Sequence, residues 1–242
     1  MNSELVKECL GKLSETVSFN YPAIGWYFSQ EEIEDSFVFK KDKWVCMFMY
    51  LKMILKKGTR IRFSNDYAKA CPGPVEYSGY SELTGSDGRF IAETERFKKT
   101  RKLAQDYHLE SRERIHPPEG KYLYMEKIET MDKNSDIKVI NLFPDPAAMA
   151  SLCVLSNYDR QKNMDNVQAP FASGCQSVFT IPYDEGFREN PKSVIGLMEP
   201  LVRQFIPRDM VSFSLPSNRF VEMVQNIEGS FLDKHFDNPV GF

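Results

Sequence analysis

Cys46, Cys71 and Cys175 stand far apart in the chain, and two of them sit among turn-forming residues, in Ala70-Cys71-Pro72-Gly73-Pro74 and Ala172-Ser173-Gly174-Cys175. Pro72 and Pro74 stiffen the backbone around Gly73, so Cys71 is read as a thiol held in a rigid turn at the end of a strand. Soft sulfur ligands suit zinc, cuprous copper or an iron–sulfur cluster. Three thiolates gathered by folding would hold zinc with an outside fourth ligand, or a cluster with one open iron. Without a metal, the same cysteine segments would line the pocket of a small-molecule binding or sensor module. Left exposed and far apart, they would belong to an interaction subunit. The remaining cysteines, Cys9 and Cys153, make the total of 5 odd. Scattered in this way, they read as free thiols or ligands rather than as disulfides.

Other chemistry has little local support. The chain holds no Cys-x-x-Cys, no His-Glu-x-x-His, no Gly-x-Ser-x-Gly, no phosphate-binding glycine loop and no dinucleotide fingerprint. His108 and His116 fall in polar stretches without a partner at metal-ligand spacing, and His235 lies in a polar tail. They are read as surface histidines, remote from any cysteine nucleophile.

The elements that must position the cysteines follow from pattern and punctuation. Leu5, Val6, Cys9, Leu10 and Leu13 stripe a first helix capped by Ser3. Ala23 to Phe28 reads as a buried strand. Asp42 opens a second helix that Gly58 ends, with Lys56 and Lys57 at its carboxyl end. On a wheel, Trp44, Phe48, Leu51 and Leu55 share one face, and Cys46, Met49, Tyr50 and Met53 the other. A helix apolar on both sides is buried twice. Met49, Tyr50 and Met53 then become either a second packing layer or the wall of a site around Cys46.

Thr59 to Ser64 alternates as a half-exposed strand. Glu95 to Arg112 reads as a charged helix buried through Phe97, Leu103, Ala104 and Tyr107, its basic run answered by Glu93, Glu95, Asp106 and Glu110. Pro117-Pro118 and Gly120 mark the best internal break, near 112–120. Two strands follow, within Lys121 to Met131 and Ile137 to Phe143. Asp145-Pro146 then starts a helix. Val178 to Ile181 reads as a strand, Val194 to Leu197 as strand and Glu199 to Phe205 as a short helix. Met210 to Leu215 is a strand, and Phe220, Met223, Val224, Ile227 and Phe231 stripe a final helix. A faint echo pairs Cys46 and Cys71 with Cys153 and Cys175. Arg208 and Arg219 pair with Asp209 and Glu222, or else hold an anion.

With 242 residues, 42% of them apolar, the chain has material for a substantial core, and its net charge of -3 argues against a nucleic-acid partner. The longest apolar run, Trp44 to Leu51, falls far short of the roughly 20 residues that span a membrane. The amino-terminal residues lack the basic-then-apolar layout of a signal peptide, so a soluble, cytoplasmic protein is expected.

The ordered set Tyr21-Pro22 plus strand, Cys46 opening a helix, Cys71-Pro72-Gly73, Asp145-Pro146 and Gly174-Cys175 resembles the family called domain of unknown function 169. The run from Phe205-Ile206-Pro207-Arg208-Asp209 through Phe213-Ser214-Leu215-Pro216 to Phe220 is similar too. The resemblance covers roughly Leu5 to Leu232. It implies a cytosolic α+β protein without an established activity, with cysteines recurring at the positions of Cys46, Cys71 and Cys175. It also implies a further cysteine near the last strand, where this chain has Leu215 or Pro216, which leaves three ligands and an open position, or no metal.

The expectation is therefore an α+β fold in one compact unit over 1–242: a mixed sheet with packed helices and a pseudo-duplicated core. Cys46, Cys71 and Cys175 are the expected metal ligands, and Met49, Tyr50 and Met53 the wall. Zinc or an iron–sulfur cluster is the expected cofactor, and a metal-free small-molecule site or an interaction subunit is the alternative.

Overall fold

The computed structural model describes residues 1–38, 46–65, 72–85 and 87–234. Its centre is a mixed eight-stranded sheet in the order β2-β3-β4-β1-β5-β8-β7-β6. The strands are β1 (Ile24–Ser29), β2 (Phe37–Val38), β3 (Ile61–Phe63), β4 (Tyr122–Lys127), β5 (Ile137–Leu142), β6 (Val167–Gln168), β7 (Ser193–Gly196) and β8 (Ser212–Pro216).

The order conceals a repeat. Outward from the central antiparallel pair β1·β5, one side runs β1, β4, β3, β2 and the other β5, β8, β7, β6. On each side the first strand is antiparallel to the fourth, the fourth antiparallel to the third, and the third parallel to the second. The chain thus traces one four-stranded topology twice, and the repeats meet between β4 and β5. The segment 112–120 falls inside the first unit and leads into β4. There Gly120 lies against the backbone of β1, where an added Cβ would stand 2.8 Å from the Ser29 carbonyl oxygen.

A parallel strand pair needs a crossover, commonly a helix. In the first unit this is α2 (Met47–Lys57), which Cys46 precedes and Gly58 closes in the left-handed conformation at φ 68. In the second it is a π-helical turn (Gln176–Thr180) running into α6 (Ile181–Glu185), with Cys175 just ahead of it. Cys46 and Cys175 are therefore topological equivalents. Cys153 lies instead in α5 (Pro146–Leu155), directly after β5. The expected echo of Cys46 with Cys153 is corrected: the repeat is one of sheet topology, and its cysteine pair is Cys46 with Cys175.

The π turn corrects another expectation, since Val178 to Ile181 is helical rather than a strand. A short buried apolar run has no period that separates the two. Pro182 lacks the N–H that would bond the Val178 carbonyl. That carbonyl instead accepts the Asn141 side-chain amide at 2.8 Å. The Asn141 side-chain oxygen accepts the Trp26 indole N–H at 2.6 Å. A polar side chain of the central strand thus anchors the second crossover, an obligation that any unpaired buried carbonyl imposes.

Both faces of the sheet are covered. On one, α1 (Ser3–Ser14), α5 and α8 (Ser217–Gln225) bury Val6, Leu13, Leu152, Phe220 and Met223 against Tyr27, Ile140 and Phe213. On the other, α2, the π turn, α6 and α7 (Pro200–Arg203) bury Phe48, Leu51, Phe179 and Val202 against Trp26, Phe63 and Leu123. Alternation along β1 sends Ile24 and Trp26 to this second core and Tyr27 to the first. Two further helices, α3 (Pro72–Tyr77) and α4 (Arg101–Arg112), flank the second core, with a second π-helical turn (Phe90–Thr94) between them.

Several local expectations change. Asn2, not Ser3, caps α1, and the Ser3 hydroxyl donates to the Asp132 carbonyl at 2.7 Å. Leu103 is exposed, and the buried stripe of α4 is Ala104, Tyr107, His108 and Ser111. Arg219 is buried and pairs with Glu222 at 3.2 Å, as expected, and in addition with Asp159 at 2.7 Å. Asp42, Trp44, Cys71 and His235 lie outside the described residues.

Candidate functional site

Helix α2 buries Met47, Phe48, Leu51 and Ile54, while Met49 is 47% exposed. The helix is thus fully buried on one face only, which corrects the expectation of burial on two. Tyr50 is half-buried against Phe37 at a ring separation of 4.8 Å, and Met53 is half-buried. Cys46 sits at the N-cap, half-buried, with its thiol pushed up to about 11 by desolvation. The Phe48 backbone N–H works against that shift, and Glu199 adds to it.

Cys175 comes to the same place. Its Sγ lies 3.5 Å from the Met47 sulfur. A Cβ built on Gly73 would stand 3.5 Å from that Sγ, so the amino-terminal turn of α3 passes directly beside the thiol. Gly73 is two residues beyond Cys71. The fold thus gathers Cys175, Met47 and Gly73, with Cys46 preceding Met47 in the chain. Among the described residues, no group of three or more His, Cys, Asp or Glu side chains is placed to hold a metal ion.

Beyond Gly73 opens a cavity of about 290 Å³. Its walls come from α3, the Phe90–Thr94 turn, α4, the segment 171–173 and Glu199. Hydroxyls lock these walls together. The Tyr107 hydroxyl donates to the Gln176 side-chain oxygen and accepts the Ser173 N–H at 3.2 Å. The Thr180 hydroxyl donates to the Tyr77 carbonyl at 2.7 Å. Tyr77 and Tyr107 both hold their protons tightly, chiefly through burial.

Three carboxyl groups face this space. Glu76 is buried and accepts the Thr84 hydroxyl. Glu199 accepts the Gly174 N–H at 2.6 Å, yet burial lifts its carboxyl above the usual range. Glu95 is pushed up to about 7, first by burial and then by repulsion from Glu199. His108 is 9% exposed, and its Nδ1, itself buried, has no hydrogen-bond partner among the described residues. Burial holds its imidazole below the ordinary value, with Arg112 helping and Glu76 opposing. The apolar share of the wall includes Leu83, Ile91, Phe97 and Phe171. The other notable histidine, His116, lies outside this cavity and bonds Asp184 at 2.9 Å.

None of the cavity's polar groups belongs to the cysteine set singled out in the sequence. Glu95 reads there as an answer to nearby Lys and Arg, and His108 as a surface residue. One signal was present: Ala104, Tyr107, His108 and Ser111 recur at helical spacing, which places His108 on the buried stripe.

Fold and site together define an α+β protein of two repeated topological units, with an acid-lined cavity whose wall residue Gly73 lies beside Cys175. The chain belongs to the family DUF169, described as Uncharacterised ArCR, COG2043, whose model matches residues 12–226. No curated protein and no solved structure matches the chain. No helix among the described residues is long and apolar enough to cross a membrane.

Proposed function

We propose that the chain is a binding protein for a small organic molecule, taken into the cavity between α3, α4 and the segment 171–173. The observation that carries this reading is the cavity itself: about 290 Å³, with the apolar side chains of Leu83, Ile91, Phe97 and Phe171 and the carboxyl groups of Glu76, Glu95 and Glu199 in one wall. Concave, mostly apolar spaces with a few convergent polar groups are the usual form of a ligand site. A fragment panel read through the His108 imidazole NMR resonances tests it. Binding fragments should shift those resonances and lose affinity on His108→Phe. Fragments that bind elsewhere, with His108 unmoved by any of them, would refute it.

A second reading is favoured by the sulfur contact between Cys175 and Met47, at 3.5 Å. In it Cys46, Cys71 and Cys175 ligate zinc or an iron–sulfur cluster, with Met49, Tyr50 and Met53 nearby on α2. Ligands of one zinc ion lie roughly 3.5–4 Å apart. Such a metal would displace the proton of a Cys46 thiol that burial has pushed up to about 11, so its affinity would rise with pH. Anaerobic purification with metal analysis decides it: a stoichiometric metal lost on Cys175→Ser supports the reading, and metal-free protein with an unaltered fold opposes it.

A further inference from the structure

We propose that the cavity takes a small protonated organic amine, its ammonium held by Glu76, Glu95 and Glu199 and its apolar body against the aromatic wall. The inference rests on the ligand-binding reading above and names the ligand's class.

Buried charges in folded proteins are paired. Elsewhere this chain obeys the rule: Glu126 meets Arg60 at 2.6 Å, Asp184 meets Arg188 at 2.8 Å and Arg114 at 3.2 Å, and Glu185 meets Arg114 at 3.5 Å. Glu76 is as well buried as these, and Glu95 and Glu199 are half-buried. Among the described residues, none of the three has a Lys or Arg partner. Three unmatched carboxyl groups around one space leave a place for a cation supplied from outside.

The cation's kind follows from the geometry. Among the described residues, no three His, Cys, Asp or Glu side chains are placed to hold a metal ion, while these carboxyl groups share one cavity with aromatic rings. An organic cation can meet a carboxyl group with its ammonium and the rings with its apolar body. Among the described residues, no Lys or Arg lines the cavity, which disfavours an anionic ligand. An ammonium carries three donors and no acceptor, which suits a wall of carboxyl oxygens. The aromatic wall favours a cation too: the Lys98 ammonium already stands 4.4 Å over the Phe171 ring. The volume of about 290 Å³ is on the order of ten waters at about 30 Å³ each, enough for a small amine with one ring.

Isothermal titration calorimetry of the full chain with benzylamine, butylamine, benzyl alcohol and benzoate tests this. Benzylamine is expected to bind at least about tenfold more tightly than benzyl alcohol. Glu95→Gln and Glu199→Gln should each lower benzylamine affinity by about tenfold or more while thermal melts show a folded protein. Equal binding of benzyl alcohol, or preference for benzoate, would overturn the amine and leave the pocket reading standing. Binding of benzylamine to Lys98→Met but not to the natural chain would also overturn it, by making Lys98 the cavity's own cation. Silence from all four probes, with the His108 resonances unmoved, would sink both.

Discussion

Replacing Glu95 by Gln should stabilise the ligand-free protein, and only at neutral to alkaline pH. Burial and Glu199 push Glu95 up to about 7, against 4.5 for an ordinary glutamate. Below about pH 4 the group is protonated both folded and unfolded, and the substitution changes little. As pH rises from about 4.5 to about 7, the unfolded chain releases the proton while the folded chain keeps it, so the folded state loses relative stability. Above about pH 7 both forms are ionised and the whole penalty is present. Each pH unit of the gap is worth about 1.4 kcal/mol, which bounds the effect near 3 kcal/mol. Glu95 is only half-buried, and solvent screening reduces this to on the order of 1–2 kcal/mol. For a chain of this size that raises the melting temperature by about 3–6 °C near pH 8. Thermal melts of both proteins across the pH range measure it. A Glu95→Gln protein no more stable than the natural chain near pH 8, or equally stabilised near pH 4, would refute the reasoning.

Other outcomes follow from the same geometry. Asn141→Leu strands both the Trp26 indole N–H and the Val178 carbonyl, so urea unfolding should show a loss of about 2–4 kcal/mol; a change under about 1 kcal/mol would deny the anchor. Gly174→Ala would put a Cβ 2.5 Å from both Phe48 and Val202, and should destabilise by about 1–3 kcal/mol in the same assay. The Cys46 thiol, pushed up to about 11, should react with iodoacetamide near pH 7 on the order of 10-fold more slowly than in the unfolded chain, its smaller thiolate fraction partly offset by greater nucleophilicity, read by peptide mass spectrometry. Equal rates would show an ionised or exposed thiol.

Much of the fold is legible in the residues because the governing signals are local. Gly58 ends α2, and Asp145-Pro146 starts α5 with Asp145 capping the Ala148 N–H at 2.8 Å. The stripe of Phe220, Met223 and Val224 makes α8. Val178 to Ile181 escapes local reading because its conformation is decided by Pro182 and by Asn141, the latter in another strand. The repeat is equally hidden, since it lies in strand order and not in the residues themselves. Cysteine spacing suggests the wrong partners, and only the paired crossovers show Cys46 and Cys175 to be equivalents.

The cavity was harder to see for a physical reason. Glu76, Glu95 and Glu199 come from three separate segments, and nothing in the order of residues says that they face each other. Glu95 sits amid Arg96, Lys98 and Lys99, which in the sequence look like its partners. In the fold Lys98 turns to the Phe171 ring, and Glu95 lines the same cavity as Glu199, whose charge helps to raise its carboxyl. Which charges go unmatched is a tertiary property, and that mismatch identifies the site.

The most direct test is a side-chain carboxyl ¹³C titration of Glu95, with and without benzylamine. The account predicts a midpoint near 7 in the free protein, moved down by at least about one pH unit when the amine is bound. A midpoint near 4.5 that the amine leaves in place would contradict it.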